Sequence, residues 1–392
     1  MQPATTERAA LRRSWTAVTA SFAAHAVIAG LLGPWMPEVK DRTGIDDAGL
    51  GFALAGYAIG LFVGTRLAAP VVRRVGGRVA VLGGTPVLGA AMALVPAAGD
   101  LSSLTSIFVV VGLAAGLVDV AMNIEAVAVE RRFDRRVMTA IHGAWSVALF
   151  VGAGVSSLGV ALAIPIELHL PLASALVIAA AFPMLRWLPT GERAGGETGG
   201  PATDRRRRTA TVVLLGLIAG CSFLLEGISM EWSAVFLRDG LGAAGGVVGS
   251  AVVAFSAGMA AARFAGDRLV GRFGQPAIVR VGATGAVVSL VAMLLVARVA
   301  VSIVAFLLVG LGMGSVVPLA FRSAGWTLRV NGRSALPIVV TAGYAGSIAG
   351  PALVGPLADA FGLRAAFVIP VLACSVVAVA APATATAGPR DG

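Results

Sequence analysis

The feature that most constrains this chain is a series of long apolar runs, each about the length that crosses a bilayer. They fall at 15–36, 48–71, 79–98, 103–128, 138–163, 168–188, 210–236, 246–270, 277–297, 300–321, 334–358 and 363–384. A hydrocarbon layer about 30 Å thick needs about 20 apolar residues per helix. The runs are continuous and do not alternate, which excludes a closed β-barrel. Only 13% of the 392 residues are charged, about half the share of an ordinary soluble domain. The expected fold is therefore an all-α membrane protein with about 12 transmembrane helices. Arg8, Arg12 and Arg13 precede the first run as they would a signal peptide. That run is too long for a signal core and has a counterpart in the second half, so it is read as a retained span.

The formal net charge is +10, yet the arginines form separate short clusters and no single patch, so nucleic acid is not an expected partner. With a cytoplasmic N-terminus, the inner loops hold Arg73, Arg74, Arg78, Arg131, Arg132, Arg135, Arg136, the four arginines at 205–208, Arg272, Arg329 and Arg333. The outer loops then hold only Lys40, Arg42, Arg238, Arg298 and Arg364. This asymmetry places both termini in the cytoplasm. The Gly/Thr/Pro-rich stretch 189–209 reads as a cytoplasmic linker between a six-helix half at 1–188 and another at 210–392. Its arginines set topology, with contact to anionic headgroups as a second reading.

A shift of 198 residues maps Gly51, Gly60, Arg74, Gly76 and Gly84 onto Gly249, Gly258, Arg272, Gly274 and Gly282. It also maps Phe108, Gly112 and Gly116 onto Phe306, Gly310 and Gly314, and Gly152 onto Gly350. One unchanged offset across several helices implies a duplicated six-helix unit, and an even span number keeps both copies in the same orientation.

Several chemistries are not indicated. Lys40 is the only lysine and lies outside any G-x-x-x-x-G-K-[ST] pattern, so direct ATP drive is excluded. Three histidines and two cysteines, Cys221 and Cys374, are scattered over different runs. No disulfide, metal cluster, cofactor or nucleophile constellation is expected, and the chain does not read as an enzyme.

Glu226 lies within an apolar run, where an ionised carboxylate at the bilayer centre costs roughly 2.5–3.5 kcal/mol. It should face a wet cavity or a partner, on one helix face with Ser222, Met230 and Ser233. Asp119 and Asn123 are four residues apart and share a face in the same way. Asp119 and Glu226 are candidates for binding and releasing protons, the alternative being structural pairing with an arginine. Glu125 is expected to pair with inner-loop arginines such as Arg131. Arg263 and Asp267 stand one turn apart and can pair as a gate or merely cap a helix end.

The segment RFAGDRLVGRFG at 263–274 and its first-half partner RLAAPVVRRVG at 66–76 resemble the loop signature of the major facilitator superfamily. The first-half copy lacks the acid. The blocks DVAMNIE at 119–125, HGAWS at 142–146 and EGISMEWS at 226–233 resemble a little-characterised bacterial branch near the fucose-permease-like sugar porters. That resemblance implies secondary active transport by alternating access, coupled to protons, of a small polar organic solute across the bacterial cytoplasmic membrane by a monomer. It places His25, Asn123, His142, Trp145, Ser222, Met230 and Glu231 in a substrate cavity, and Arg66, Arg263 and Asp267 in gating. No acid lies in the first run, where His25 is the only ionisable group. Span 5 carries Gly152 and Gly154 without the proline typical of drug antiporters. Efflux of a hydrophobic or secondary metabolite is the alternative. A non-transporting membrane sensor is another, weakened by the short polar tail after about Ala381.

The charge asymmetry makes a prediction. A reporter active only in the cytoplasm should give signal when fused after Gly392, and one active only outside should give signal when inserted at Gly99. The reverse pattern would refute the orientation.

Overall fold

The computed structural model describes residues 3–133, 138–188, 205–327, 329–330 and 333–385. Among the described residues, twelve helices are long and apolar enough to cross a membrane. In the first half these are α1 Ala9–Thr43, α2 Asp47–Val75, α3 Gly77–Ala97, α4 Leu101–Glu130, α5 Ala140–Ala161 and α6 Ile166–Leu185. In the second they are α7 Thr209–Glu231, α8 Gly245–Gly266, α9 Gln275–Val296, α10 Val299–Ala324, α11 Ile338–Phe361 and α12 Leu363–Thr384. The all-helical expectation holds, with one small addition: β1 Arg329–Val330 pairs antiparallel with β2 Arg333–Ser334 between α10 and α11. The expected linker falls largely at 189–204, outside the described residues, and backbone helix leading into α7 begins at Arg205.

Local chemistry sets the helix ends. α1 tightens into a 3₁₀ turn at Gly33–Trp35, continues through Met36–Thr43, and stops at Gly44, whose φ of 64° is left-handed. Asp46 then caps α2 by accepting from the Gly49 amide at 2.7 Å. Gly76 ends α2 with φ 85°, and Gly274, its counterpart 198 residues on, ends the helix containing α8 with φ 80°. A side chain is strained at such angles, so the recurring glycine has a backbone reason.

The chain divides into two compact units, Met1–Gly195 and Gly196–Gly392. In the first, α1 packs on α5 and α6, α2 on α4, and α3 on α4 and α6. In the second, α7 packs on α11 and α12, α8 on α10, and α9 on α10 and α12. The two packing schemes are the same scheme. A Cβ at Gly112 on α4 would fall on the carbonyl oxygen of Tyr57 on α2, and one at Gly60 on that of Val109. In the second unit a Cβ at Gly310 on α10 would fall on the carbonyl of Phe255, and one at Gly258 on that of Leu307. The α2–α4 and α8–α10 crossings are therefore backbone-to-backbone contacts, of the kind that small residues allow between membrane helices.

Large apolar side chains lie exposed on the outer faces, among them Val379 at 80% and Leu295 at 78%. Lipid suits such a surface and water does not, so the molecule is a multi-pass membrane protein. At one end of the first unit, Lys40 pairs with Asp47 at 2.5 Å and Arg42 with Glu167 at 2.6 Å. Arg42 also donates to the Pro96 carbonyl at 3.5 Å, so it touches the ends of α3 and α6 together.

Because the glycine crossings have no room for a methyl group, Gly112→Ala and Gly310→Ala should each destabilise their unit by about 1–3 kcal/mol. Gly154→Ala, which meets nothing within 4 Å, should not. Thermal unfolding of detergent-purified variants measures this, and equal melting of all three would contradict the packing.

Candidate functional site

In the first unit, α1, α4 and α5 bring four of the sequence-selected residues together. His25 on α1 is buried, with Nε2 lying 3.2 Å from the Ala115 carbonyl of α4. The Trp145 indole on α5 donates its Nε1–H to His25 Nδ1 at 3.3 Å. A carbonyl only accepts and an indole only donates, so both contacts are satisfied by the neutral ring carrying its proton on Nε2. Asp119 stands one turn beyond Ala115 on α4, within electrostatic reach of the imidazole. Asn123 donates to the Asp119 backbone carbonyl at 2.8 Å and reaches its carboxylate at 3.4 Å. The shorter bond goes to an acceptor, which fixes the amide nitrogen end. His142 stands beside this group, exposed and edge-on to Phe22 with ring centroids 5.3 Å apart.

In the second unit, Glu226 on α7 and Arg263 on α8 act on one another electrostatically. Arg263 also donates from Nε to the Gly314 carbonyl of α10 at 3.2 Å. The expected Arg263–Asp267 pair cannot be placed, because the side chain of Asp267 lies outside the described residues; the bond described for Arg263 runs to α10. Met230 accepts from the Ser256 hydroxyl of α8 at 3.6 Å. Ser222 is buried and turned onto its own helix, donating to the Ile218 carbonyl at 2.7 Å. Glu231 lies over Gly227. Its Oε2, the Trp232 indole nitrogen and the Ser233 hydroxyl are buried and find no hydrogen-bond partner among the described residues. These three stand in succession where α7 ends.

Arg66 lies on α2. It is exposed, with its guanidinium 4.9 Å from the Phe62 ring centroid. Glu125 is buried against Gly77, the first residue of α3, a position where a helix start favours negative charge. Its expected partner Arg131 has a side chain outside the described residues. No three of His, Cys, Asp and Glu among the described residues come together as a metal site requires.

The 198-residue offset exposes a feature that inspection of single motifs misses. It carries His25, Asp119, Asn123 and Trp145 onto Phe223, Val317, Phe321 and Gly343. There Phe223 packs on Phe321 at 6.2 Å and on Tyr344 at 5.6 Å, and its ring occupies the space that a Cβ at Gly343 would need. Conversely Glu226 and Arg263 correspond to Ile28 and Thr65. The ionisable positions of one unit are uncharged in the other, so neither charged group is required to build the unit.

The architecture defines a polytopic membrane protein of two equivalent six-helix units, and the comparisons name its kind. Residues 18–320 match the family model described as Major Facilitator Superfamily, and the chain belongs to that superfamily of membrane transporters. It is 32% identical over 354 residues to an uncharacterised MFS-type transporter of Yersinia pestis, covering 89% of this chain and 90% of that one. An uncharacterised transporter of Sinorhizobium fredii is 30% identical over 373 residues, covering 94% and 97%. The membrane protein MosC of Rhizobium meliloti is 27% identical over 381 residues, covering 93% and 88%. A crystal structure of the nucleoside transporter NupG superposes with a TM-score of 0.70 at 11% identity, over 95% of this chain and all 100% of that one. That likeness concerns the fold alone.

The electrostatic interaction of Glu226 with Arg263 yields a double-mutant prediction. Arg263→Met alone should destabilise the protein by leaving a carboxylate without its counter-charge. Adding Glu226→Gln should recover about 1–3 kcal/mol. Thermal unfolding of the four proteins of the cycle tests this, and strict additivity would show that the two side chains do not interact.

Proposed function

We propose that this protein is a secondary active transporter that works by alternating access and couples proton movement to a small polar organic solute. The observation that carries the reading is the polar pair within each apolar unit, Asp119 with His25 and Glu226 with Arg263, at positions where the duplicated unit is apolar or uncharged. A bundle that needed only to fold would fill both positions as one unit fills each. Ionisable groups in membrane helices commonly mark ion or proton pathways.

Asp119 and Glu226 are the proton-coupling carboxyls in this reading. His25, Asn123, His142, Trp145, Ser222, Met230 and Glu231 are the solute-facing set, offering hydrogen bonds and an indole surface to a hydroxylated or amide-bearing molecule. Arg263, with Arg66 and Asp267, serves gating: its bond to the Gly314 carbonyl of α10 and its attraction to Glu226 on α7 both respond when the Glu226 charge changes. The protein acts as a monomer in the bacterial cytoplasmic membrane, with both termini in the cytoplasm, and supports uptake.

The test compares cells producing the intact chain or Glu226→Gln at matched amounts, by metabolite profiling of cells and medium followed by flux under an imposed proton gradient. Glutamine keeps an acceptor for Arg263 while removing the titratable group. Gradient-driven flux should be abolished with the melting temperature held. Unchanged flux would remove Glu226 from the mechanism, and enrichment of the solute in the medium would reverse the direction.

A further inference from the structure

We infer that His25 is the proton-binding site of the first unit, and that its protonation releases the Trp145 indole from the imidazole. This rests on the proton-coupled reading above and moves the first unit's proton from the Asp119 carboxyl to the ring that faces it.

Which atoms can donate decides what the ring contacts in each protonation state. His25 is contacted on both nitrogens, and the two contacts have opposite requirements when a proton arrives. At Nε2 the partner is the Ala115 carbonyl, with Asp119 one turn further along α4. A carbonyl and a carboxylate both favour a cation, and a hydrogen bond from an imidazolium is shorter and roughly twice as strong as one from a neutral ring. At Nδ1 the partner is an indole N–H, which cannot accept. A proton arriving there finds N–H facing N–H, and the 3.3 Å contact must break. Both contacts hold in the neutral ring; protonation strengthens the Nε2 side and breaks the Nδ1 side, so the two protonation states differ in what Trp145 contacts.

The ionisable groups on the helices around α1 are these. Of the helices packed on α1, α4 presents Asp119 to the ring, with Asn123 turned toward that carboxylate. Also on α4, Glu125 lies at Gly77, and Glu130 accepts from the Met138 amide. On α5, His142 faces Phe22, one turn from His25. On α6, Glu167 pairs with Arg42 and His169 with the Ser156 hydroxyl. The one ionisable residue of α3 is Arg78.

The proton binds the Nδ1 lone pair, no bond between heavy atoms changes, and the indole N–H turns to another acceptor. A polar solute beside Trp145 supplies one, so proton and solute favour each other's binding, each by the same factor.

The experiment uses the full chain in lipid nanodiscs with ¹⁵N-labelled histidine and tryptophan, titrated with acid. The chain has three histidines, so His142→Gln and His169→Gln complete the assignment. At high pH His25 should show the neutral ring protonated on Nε2. As pH falls it should become imidazolium, and the Trp145 indole resonance should move with the same midpoint. Trp145→Phe removes the opposing donor and should raise the proton affinity of His25 roughly threefold to tenfold, the size of one neutral hydrogen bond. A His25 that stays neutral across the range in which flux titrates would overturn the assignment. So would an imidazolium that forms while the Trp145 resonance stays still. If Trp145→Phe does not fold, the intact protein decides alone. Absence of gradient-driven flux in the intact protein would defeat the transport reading and would leave the titration to be judged on its own spectrum.

Discussion

An ionised side chain taken out of water costs several kcal/mol, and attraction to a counter-charge repays this only when the remaining donors and acceptors are also engaged. Each unit meets that condition in its own way. Arg263 faces Glu226 and also donates to the Gly314 carbonyl. Asp119 faces a histidine whose nitrogens are both contacted and an asparagine whose amide is fixed by backbone. Change the protonation of one member and its neighbour's best partner changes as well.

The duplicated architecture makes this easier to see than in a protein without internal repeats. Helix packing, glycine crossings and the glycine stops at 76 and 274 recur under one offset. The polar groups do not. Where the first unit places His25, Asn123 and Trp145, the second places Phe223 and Phe321 with Gly343, and Tyr344 closes the aromatic group. What repeats is what the fold needs, and the polar groups lie outside that common frame.

Much of the fold was legible from residue order because a bilayer leaves backbone groups few choices. An apolar run of sufficient length becomes a helix, and the runs set at 48–71 and 277–297 appear as Asp47–Val75 and Gln275–Val296. Helix ends were less legible: α1 extends to Thr43 beyond its apolar run because Met36–Thr43 resumes the helix after the Gly33–Trp35 turn. The candidate groups were legible as residues and not as partners. Local spacing put Asp119 with Asn123 correctly, since both lie on one helix. It also suggested Arg263 with Asp267, whose side chain lies outside the described residues, and it gives no sign of the bond from Arg263 to α10. Likewise Trp145 meets His25 across 120 residues of chain, a pairing that only helix packing creates. For Glu125 charge suggests a loop arginine, whose side chain at 131 lies outside the described residues; the place of Glu125 against Gly77 depends on the absence of a side chain there.

The glycine crossings also have a mechanical consequence. Where carbonyl oxygens of one helix occupy the space a side chain of the other would fill, no compressible layer lies between the two axes. Side chains can hop between rotamers and absorb a displacement, but peptide planes in contact cannot. The α2–α4 and α8–α10 pairs therefore behave as welded struts, stiff against sliding and twisting. A small displacement imposed at one end of such a pair arrives at the other end nearly undiminished.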